Sequence, residues 1–175
     1  MKVITAPESY GIQPGEISVF LAGGICKCPE WQDAVINKLE SSVTHDLVVF
    51  NPRRKNFPID DKTASYQQIG WEFDNLQRAD IFSMYFCESE SDQPICMYEL
   101  GRNILHMQLS HPTDWEHRIV ISVEAGYTRK HDVIMQVLLA AGDKVMVNTN
   151  LMNDTVLFYH TEHILKSYRY LNVHQ

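Results

Sequence analysis

The chain has 175 residues, with 15 lysines and arginines against 22 aspartates and glutamates, and a formal net charge of -7. Hydrophobic residues make up 45% and charged residues 21%, which excludes intrinsic disorder, collagen and a coiled coil as descriptions of the whole chain. The acidic balance argues against a protein that coats a nucleic acid polymer, because neutralising phosphates requires a basic surface. The length is typical of one domain, so we expect residues 1–175 to form a single domain.

Several classes of site and location are also disfavoured. No apolar run approaches the roughly 18–20 residues that span a bilayer, and the first 16 residues lack the apolar core of a signal peptide. The four cysteines form no CxxC-type pair and the eight histidines show no ligand spacing, so we predict no metal site. Few, unpaired cysteines favour reduced thiols. We therefore expect a cytoplasmic protein with no membrane contact.

Short apolar runs alternate with amphipathic stretches along the chain. Runs such as ISVFLA and LVVF are continuously apolar, which indicates strands buried on both faces. Strand and helix alternate five times after a mixed segment over residues 1–16. This pattern predicts a doubly wound α/β fold, flavodoxin-like or Rossmann-like, with a mostly parallel five-stranded sheet and helices on both faces. The predicted strands span 17–22, 47–50, 81–86, 119–123 and 145–147, and the predicted helices span 29–39, 63–78, 94–109, 132–141 and 154–170.

Residues that follow the first two strands are binding candidates, because ligands of such sheets lie at the carboxyl ends of the strands. Gly23 and Gly24 would let backbone N–H groups approach a phosphate or a sugar hydroxyl, although tight-turn packing explains them equally well. Asn51 is followed by Arg53 and Arg54, which suit a phosphate or a carboxylate. The alternatives are a turn supported by Asn51 and a solvated basic loop.

Carboxylates occupy the elements that surround the third strand. Glu72 lies beside apolar residues of the second helix, where desolvation would raise its pKa and suit it to proton transfer. Asp80 opens the third strand, a position that usually serves the strand itself. Asp92 lies in the following acidic loop, and Glu99 lies in the first turns of the third helix, whose N-terminus stabilises an ionised carboxylate. Each acid alone is more typical of surface charge, but two nearby acids suit glycosyl transfer through a covalent sugar ester.

Several short motifs occur in a specific order. Besides a helix that contains Trp31, they are FLAGGI at 20–25, NPR at 51–53, QIGWE at 68–72, AD at 79–80 and YELG at 98–101. Together they resemble the nucleoside 2-deoxyribosyltransferase-like family over about residues 17–147. The resemblance implies an enzyme that cleaves the N-glycosidic bond of a 2-deoxynucleoside or deoxynucleotide without a cofactor. It also implies a homo-oligomer, because a neighbouring subunit often completes the site in this family.

The resemblance assigns roles to particular residues. Glu99 would be the nucleophile that forms the deoxyribosyl ester, and Glu72 stands where the family has a base-contacting acid, more often aspartate. Asp92 is the nearest match to a sugar-binding aspartate, with an offset shifted by one residue. The substrate-binding candidates are Gly23, Gly24, Asn51, Arg53, Arg54 and Asp80. The two arginines favour a 5′-phosphate on the substrate.

The residues leave the acceptor and the function class open. Attack on the ester by a second base makes the enzyme a transferase, and attack by water makes it a hydrolase. The alternative function is a non-catalytic nucleotide-binding or sensor module on the same fold, which would not need both Glu72 and Glu99. A flavin-binding protein is a third hypothesis, and the lack of a Ser/Thr-rich phosphate loop after the first strand counts against it.

Overall fold

The computed structural model describes residues 1–43, 46–149 and 153–174. Its six strands form one sheet, in which every pair of neighbouring strands is parallel. The strands are β1 (Lys2–Thr5), β2 (Ile17–Gly23), β3 (Leu47–Asn51), β4 (Ile81–Phe86), β5 (Ile119–Val123) and β6 (Val147–Asn148). The helices are α1 (Trp31–Ser42), α2 (Lys62–Arg78), α3 (Pro94–Ser110), α4 (Lys130–Ala141) and α5 (Asn153–His174), with a short 3-10 helix at Trp115–Arg118.

The strand order is β1-β3-β2-β4-β5-β6, so β2 lies at the centre and the chain winds outward in both directions. The prediction of a doubly wound α/β fold is confirmed, and the prediction of five strands is wrong. The additional strand is β1, which pairs with β3 through partners such as Lys2 and Val48. Its four residues (KVIT) are only partly buried at the sheet edge, so they lack the continuous apolar pattern that identifies the central strands.

The two faces of the sheet carry separate apolar layers. Phe20 and Phe50 pack with residues of α2, α3 and α4 on one face, and Val19 and Val49 pack with residues of α1 and α5 on the other. Because side chains alternate along a strand, each buried strand supplies both layers. The prediction of helices on both faces is therefore confirmed.

A buried histidine fixes α5 to the sheet. The His160 ring nitrogens lie 2.8 Å from Ser83 Oγ and 2.9 Å from Ser122 Oγ. Complete burial lowers the pKa of His160 to about 3, so the ring is neutral at neutral pH. The two serines, on β4 and β5, thus satisfy a polar side chain that would otherwise be costly to bury.

Two C-terminal elements differ in extent from their predictions. The predicted strand at 145–147 is found at Val147–Asn148, and the closing helix continues to His174. Among the helices within residues 1–43, 46–149 and 153–174, none is long and apolar enough to cross a bilayer.

Candidate active site

A cavity of about 320 Å³ opens at the carboxyl edge of the sheet, beside the central strand β2. Its wall combines the turn after β2, Pro52 after β3, a side chain of α2, and the loop and first turns of α3. Gly23, Gly24, Glu72 and Glu99 all lie in this wall, so the structure brings together four of the nine predicted site residues.

The turn after β2 is narrow because its two glycines are closely packed. Gly23 has φ +148°, and a Cβ there would lie 2.2 Å from the Tyr85 carbonyl oxygen and 2.7 Å from Trp31 Cζ2. At Gly24 a Cβ would lie 2.6 Å from Gln93 Oε1. Trp31 Nε1 also donates a hydrogen bond to the Gly24 carbonyl at 2.9 Å. Packing therefore requires both glycines, and their backbone forms part of the cavity wall.

Glu72 extends from α2 into the cavity wall and is held by Gln68 one turn earlier. Gln68 Nε2 donates to Glu72 Oε1 at 2.7 Å and to the Pro52 carbonyl at 2.7 Å, which links α2 to the end of β3. Burial raises the pKa of Glu72, and the hydrogen bond from Gln68 opposes this rise. The direction agrees with the desolvation expected from the sequence.

Glu99 reaches the same cavity from α3. The pKa of Glu99 is raised to about 7. Burial is the largest cause, the negative charge of Glu72 adds to it, and the positive charge of Arg102 opposes both. The sequence predicts that the N-terminus of α3 stabilises ionised Glu99, and burial and the charge of Glu72 act in the opposite direction. At neutral pH, Glu99 is therefore a carboxyl group close to its titration midpoint.

The loop before α3 places Gln93, and not Asp92, in the cavity wall. Asp92 is exposed, and its Oδ1 accepts a hydrogen bond from Thr128 Oγ1 at 2.9 Å. Gln93 has a left-handed backbone (φ +48°), and its Nε2 donates to the Cys87 carbonyl at 2.7 Å. Its Oε1 is buried and has no hydrogen-bond partner among the described residues. Sequence reasoning missed Gln93, and the one-residue offset at Asp92 was the signal that pointed to it.

Asn51 and Arg53 support the chain and do not line the cavity. Asn51 Oδ1 accepts a hydrogen bond from the Arg53 backbone N–H at 3.0 Å. The Arg53 guanidinium donates to the carbonyls of Gly24 at 3.3 Å and Pro29 at 2.6 Å, and its Nε donates to Gln32 Oε1 at 2.8 Å. Arg53 therefore fastens the loop after β2 to the end of β3.

The predicted phosphate clamp of Arg53 and Arg54 is not formed at the cavity. The Arg54 guanidinium lies 5.3 Å from the Phe57 ring centroid, and neither arginine belongs to the cavity wall. Both arginines are partly buried, whereas Lys55 and Asn56 of the same loop are exposed.

Asp80 lies at the opposite edge of the sheet, at the amino end of β4. Its Oδ2 accepts hydrogen bonds from the backbone N–H and the Oγ of Ser18, at 2.8 and 2.7 Å. Arg118 lies 3.8 Å from its other carboxylate oxygen. The structure thus gives Asp80 a role in fixing two strand starts, and it does not bring Asp80 to the cavity.

A metal site was not predicted, and the described part of the chain contains no group of three or more His, Cys, Asp or Glu side chains arranged to hold an ion. His45, one of the eight histidines, lies outside the described residues.

Comparison with known proteins identifies the family. Residues 16–111, just over half of the chain, match the family described as nucleoside 2-deoxyribosyltransferase like. No curated protein matches the chain. The matched segment runs from β2 to the end of α3, and it contains all four predicted site residues that line the cavity. The chain therefore belongs to the nucleoside 2-deoxyribosyltransferase-like family.

Proposed function

We propose that the protein cleaves the N-glycosidic bond of a 2-deoxynucleoside or deoxynucleotide through a covalent deoxyribosyl-glutamate intermediate. The observation that carries the proposal is that Glu72 and Glu99, from two different helices, line one cavity at the carboxyl edge of the sheet. Membership of the family supports glycosyl transfer as the class of reaction. The paired acids favour catalysis over the alternative of a nucleotide sensor, since binding alone does not require two desolvated carboxyl groups.

In this mechanism the two acids need opposite protonation states. Ionised Glu99 attacks C1′ of the sugar as the bond from C1′ to the base nitrogen breaks, and the anion stabilises the oxocarbenium-like transition state. Protonated Glu72 gives its proton to the departing base. A second base or a water molecule then attacks C1′ and gives its proton to Glu72, the ester bond to Glu99 breaks and Glu99 leaves as a carboxylate, with transfer or hydrolysis as the respective result.

The electrostatics of the pair allow one proton to pass between the two acids. Burial raises the pKa of both side chains, and the charge of Glu72 makes the ionisation of Glu99 harder. Before a substrate binds, these effects favour a proton on Glu99 beside ionised Glu72, because Glu72 raises the pKa of Glu99 only in its ionised form. A base docked against Glu72 would draw that proton to Glu72 and leave Glu99 ionised.

Gln93 is the proposed contact for the sugar in place of Asp92. Its Oε1 is buried and accepts no hydrogen bond among the described residues, and the residue contributes to the cavity wall. An unsatisfied buried acceptor is costly, and a sugar hydroxyl that donates to it would recover that cost. Because Arg53 and Arg54 lie elsewhere, a 5′-phosphate finds no arginine among the cavity residues, and both phosphorylated and free substrates belong in the test.

The experiment is incubation of the protein with a panel of deoxynucleosides and deoxynucleotides, with and without an acceptor base, followed by chromatography of the released bases. We expect release from at least one substrate and loss of release in Glu99→Gln. A deoxyribosyl adduct that maps to Glu99 by mass spectrometry would identify the nucleophile. Binding without release from any substrate would favour the sensor alternative, and an adduct on another residue would overturn the role of Glu99.

We further propose that the protein is a homo-oligomer. Apolar side chains cover an exposed surface of α2 and α3, here named the α2–α3 face. Gly70 and Gly101 lie on these helices, and within the described residues a Cβ at either position would meet nothing within 4 Å beyond its own helix backbone and chain neighbours. Burying this surface against a second copy would remove it from water. The face consists of Tyr66, Ile69, Phe73, Ile95, Tyr98 and Leu105.

The proposed location is the cytoplasm. All four cysteines are free, which supports a reducing compartment.

A further inference from the structure

Two cysteines meet behind the cavity wall. Cys28 lies in the loop after β2, and Cys87 follows directly after β4, the strand that pairs with β2. Gln93 Nε2 lies 3.6 Å from Cys87 Sγ and 3.3 Å from Ser89 Oγ, which in turn lies 3.4 Å from Cys28 Sγ. Residues distant in sequence are thus brought together as a thiol pair, which neither the sequence nor the family match assigns.

The two thiols differ in environment. Cys28 is half-buried, and its interactions with Cys87 and Ser89 together with the charge of Arg53 lower its pKa against the effect of burial. Cys87 is fully buried, and its interaction with Cys28 and its burial both raise its pKa. Because the thiolate is the reactive form of cysteine, Cys28 is the nucleophile of the pair and Cys87 remains a thiol.

The pair is in contact with residues that form the cavity. A Cβ on Gly24 would lie 2.3 Å from Cys28 Sγ, so this sulfur packs directly against the turn after β2. On the other side, Gln93 contacts Cys87 Sγ through its Nε2. Gly24 and Gln93 both line the cavity. A movement of Cys28 Sγ would therefore shift Gly24, and a movement of Cys87 Sγ would shift Gln93, both in the cavity wall.

We propose that Cys28 and Cys87 form a peroxide-sensitive thiol pair that closes to a disulfide and so reshapes the wall of the cavity. The Cys28 thiolate attacks a hydroperoxide, the O–O bond breaks, and Cys28 becomes a sulfenic acid as the second oxygen leaves as hydroxide or alkoxide. The Cys87 sulfur then attacks the Cys28 sulfur, the S–O bond breaks, and the proton of Cys87 leaves with the hydroxyl group as water. Two thiols are oxidised by two electrons, and the peroxide bond is reduced by two.

Closure changes the local geometry because a disulfide holds its sulfur atoms about 2.05 Å apart, well inside hydrogen-bonding distance. Cys87 adjoins a fully buried strand, so the movement falls on the loop that carries Cys28. Gly24 and Gln93 then lose their present packing. If the proposed glycosidic activity holds, we expect oxidation to lower kcat/KM by about tenfold or more, since displacing positioning groups by an ångström has effects of that size.

The test uses the full-length protein, treated with a small molar excess of hydrogen peroxide and mapped by mass spectrometry of non-reduced peptides. We expect a Cys28–Cys87 disulfide that dithiothreitol removes. Cys87→Ser should instead accumulate a sulfenic acid on Cys28, detectable as a dimedone adduct, and Cys28→Ser should give neither product. The matched control is Cys26→Ser, which removes an exposed thiol two residues from Cys28 and should leave formation of the disulfide intact.

This peptide map is independent of the proposed reaction. A disulfide between Cys26 and Cys28, or first oxidation at Cys26 or Cys96, would overturn the thiol-pair proposal even if the enzyme releases bases. A Cys28–Cys87 disulfide in a protein that releases no base would uphold the thiol pair and count against the proposed function alone. Circular dichroism of each variant establishes that a lost product does not reflect an unfolded chain.

Discussion

Glu72 on α2 and Glu99 on α3 face one cavity, and the charge of Glu72 helps to raise the pKa of Glu99 to about 7. Burial is the larger cause for Glu99, and it acts on Glu72 as well. The charge state of one acid is therefore set in part by the other. This coupling is the physical basis for assigning a nucleophile and a proton donor to two residues of the same type.

The first prediction concerns the pH dependence of the reaction. Because the mechanism needs ionised Glu99 together with protonated Glu72, kcat/KM should follow a bell-shaped pH profile, rising to a plateau as Glu99, whose pKa is about 7, ionises and falling where Glu72 also loses its proton. Glu72→Gln removes the negative charge that disfavours this ionisation, so the rising limb should move to lower pH. The plateau should also fall by about 10²–10⁴-fold, the usual contribution of a general acid.

Pre-steady-state measurement of base release over a range of pH checks both effects. Glu40→Gln is the matched control, because Glu40 is an exposed glutamate of α1 outside the cavity, and it should leave the profile unchanged. A rising limb that stays in place in Glu72→Gln would disprove the coupling.

The second prediction concerns stability. The unfolded chain ionises Glu99 near its ordinary value of 4.5, whereas the folded protein keeps the proton until its pKa of about 7. Between these values the folded state binds more protons, so this side chain makes the free energy of unfolding fall as pH rises. Glu99→Gln removes that loss. The difference in Tm, variant minus wild type, should therefore increase from about pH 5 to about pH 8. Scanning calorimetry measures this difference. An equal difference at both pH values would contradict the raised pKa of Glu99.

The sheet was largely predictable from the sequence, for a reason visible in its individual strands. β4 and β5 are continuous apolar runs bounded by polar residues, and their observed limits equal the predicted ones, 81–86 and 119–123. β1 escaped prediction because an edge strand buries only part of its surface and needs no such run. The parallel pairing of the strands followed from the alternation with helices, which requires crossover connections.

Only those site residues whose position follows from the strand topology were predictable from the sequence. Gly23 follows a central strand, so its place at the cavity follows from the fold. Arg53 also follows a strand, but its side chain turns to backbone carbonyls, a direction that sequence position does not encode. Asp80 stands at a strand start and so at the wrong edge of the sheet. Gln93 was missed because only acids were considered in its loop, and because its left-handed backbone is not apparent from the sequence.

The third prediction contrasts two glycines. In Gly24→Ala the new methyl group would meet Cys28 Sγ at 2.3 Å and Gln93 Oε1 at 2.6 Å, so the turn must shift and activity should fall. In Gly101→Ala the new methyl group meets no other part of the described chain within 4 Å beyond its own helix backbone and chain neighbours, and the helix should gain about 1 kcal/mol from the better propensity of alanine. Base-release assays and urea unfolding of both variants make the comparison. Wild-type activity in a folded Gly24→Ala protein would show that the turn does not shape the site.

The fourth prediction separates support of the chain from phosphate binding. Arg53→Lys leaves the charge but cannot reproduce donation to Gly24, Pro29 and Gln32 together, so it should lower the free energy of unfolding by about 1–3 kcal/mol. The ratio of kcat/KM for a deoxynucleotide to that for its nucleoside should stay as in the wild type, because Arg53 does not line the cavity. A ratio that falls strongly in the variant would show instead that Arg53 binds the phosphate of the substrate.

The fifth prediction tests the α2–α3 face. Ile69 is 63% exposed on α2, and Ile69→Glu places a charge in the middle of this apolar surface. If a second copy covers the face, the variant should have the mass of one chain by light scattering, whereas the wild type has a multiple of it. Leu139→Glu is the matched control, because Leu139 is 76% exposed on α4 and lies outside the face. A wild-type protein that is monomeric at assay concentrations would refute the oligomer. If Ile69→Glu loses base release together with assembly, the neighbouring copy completes the site.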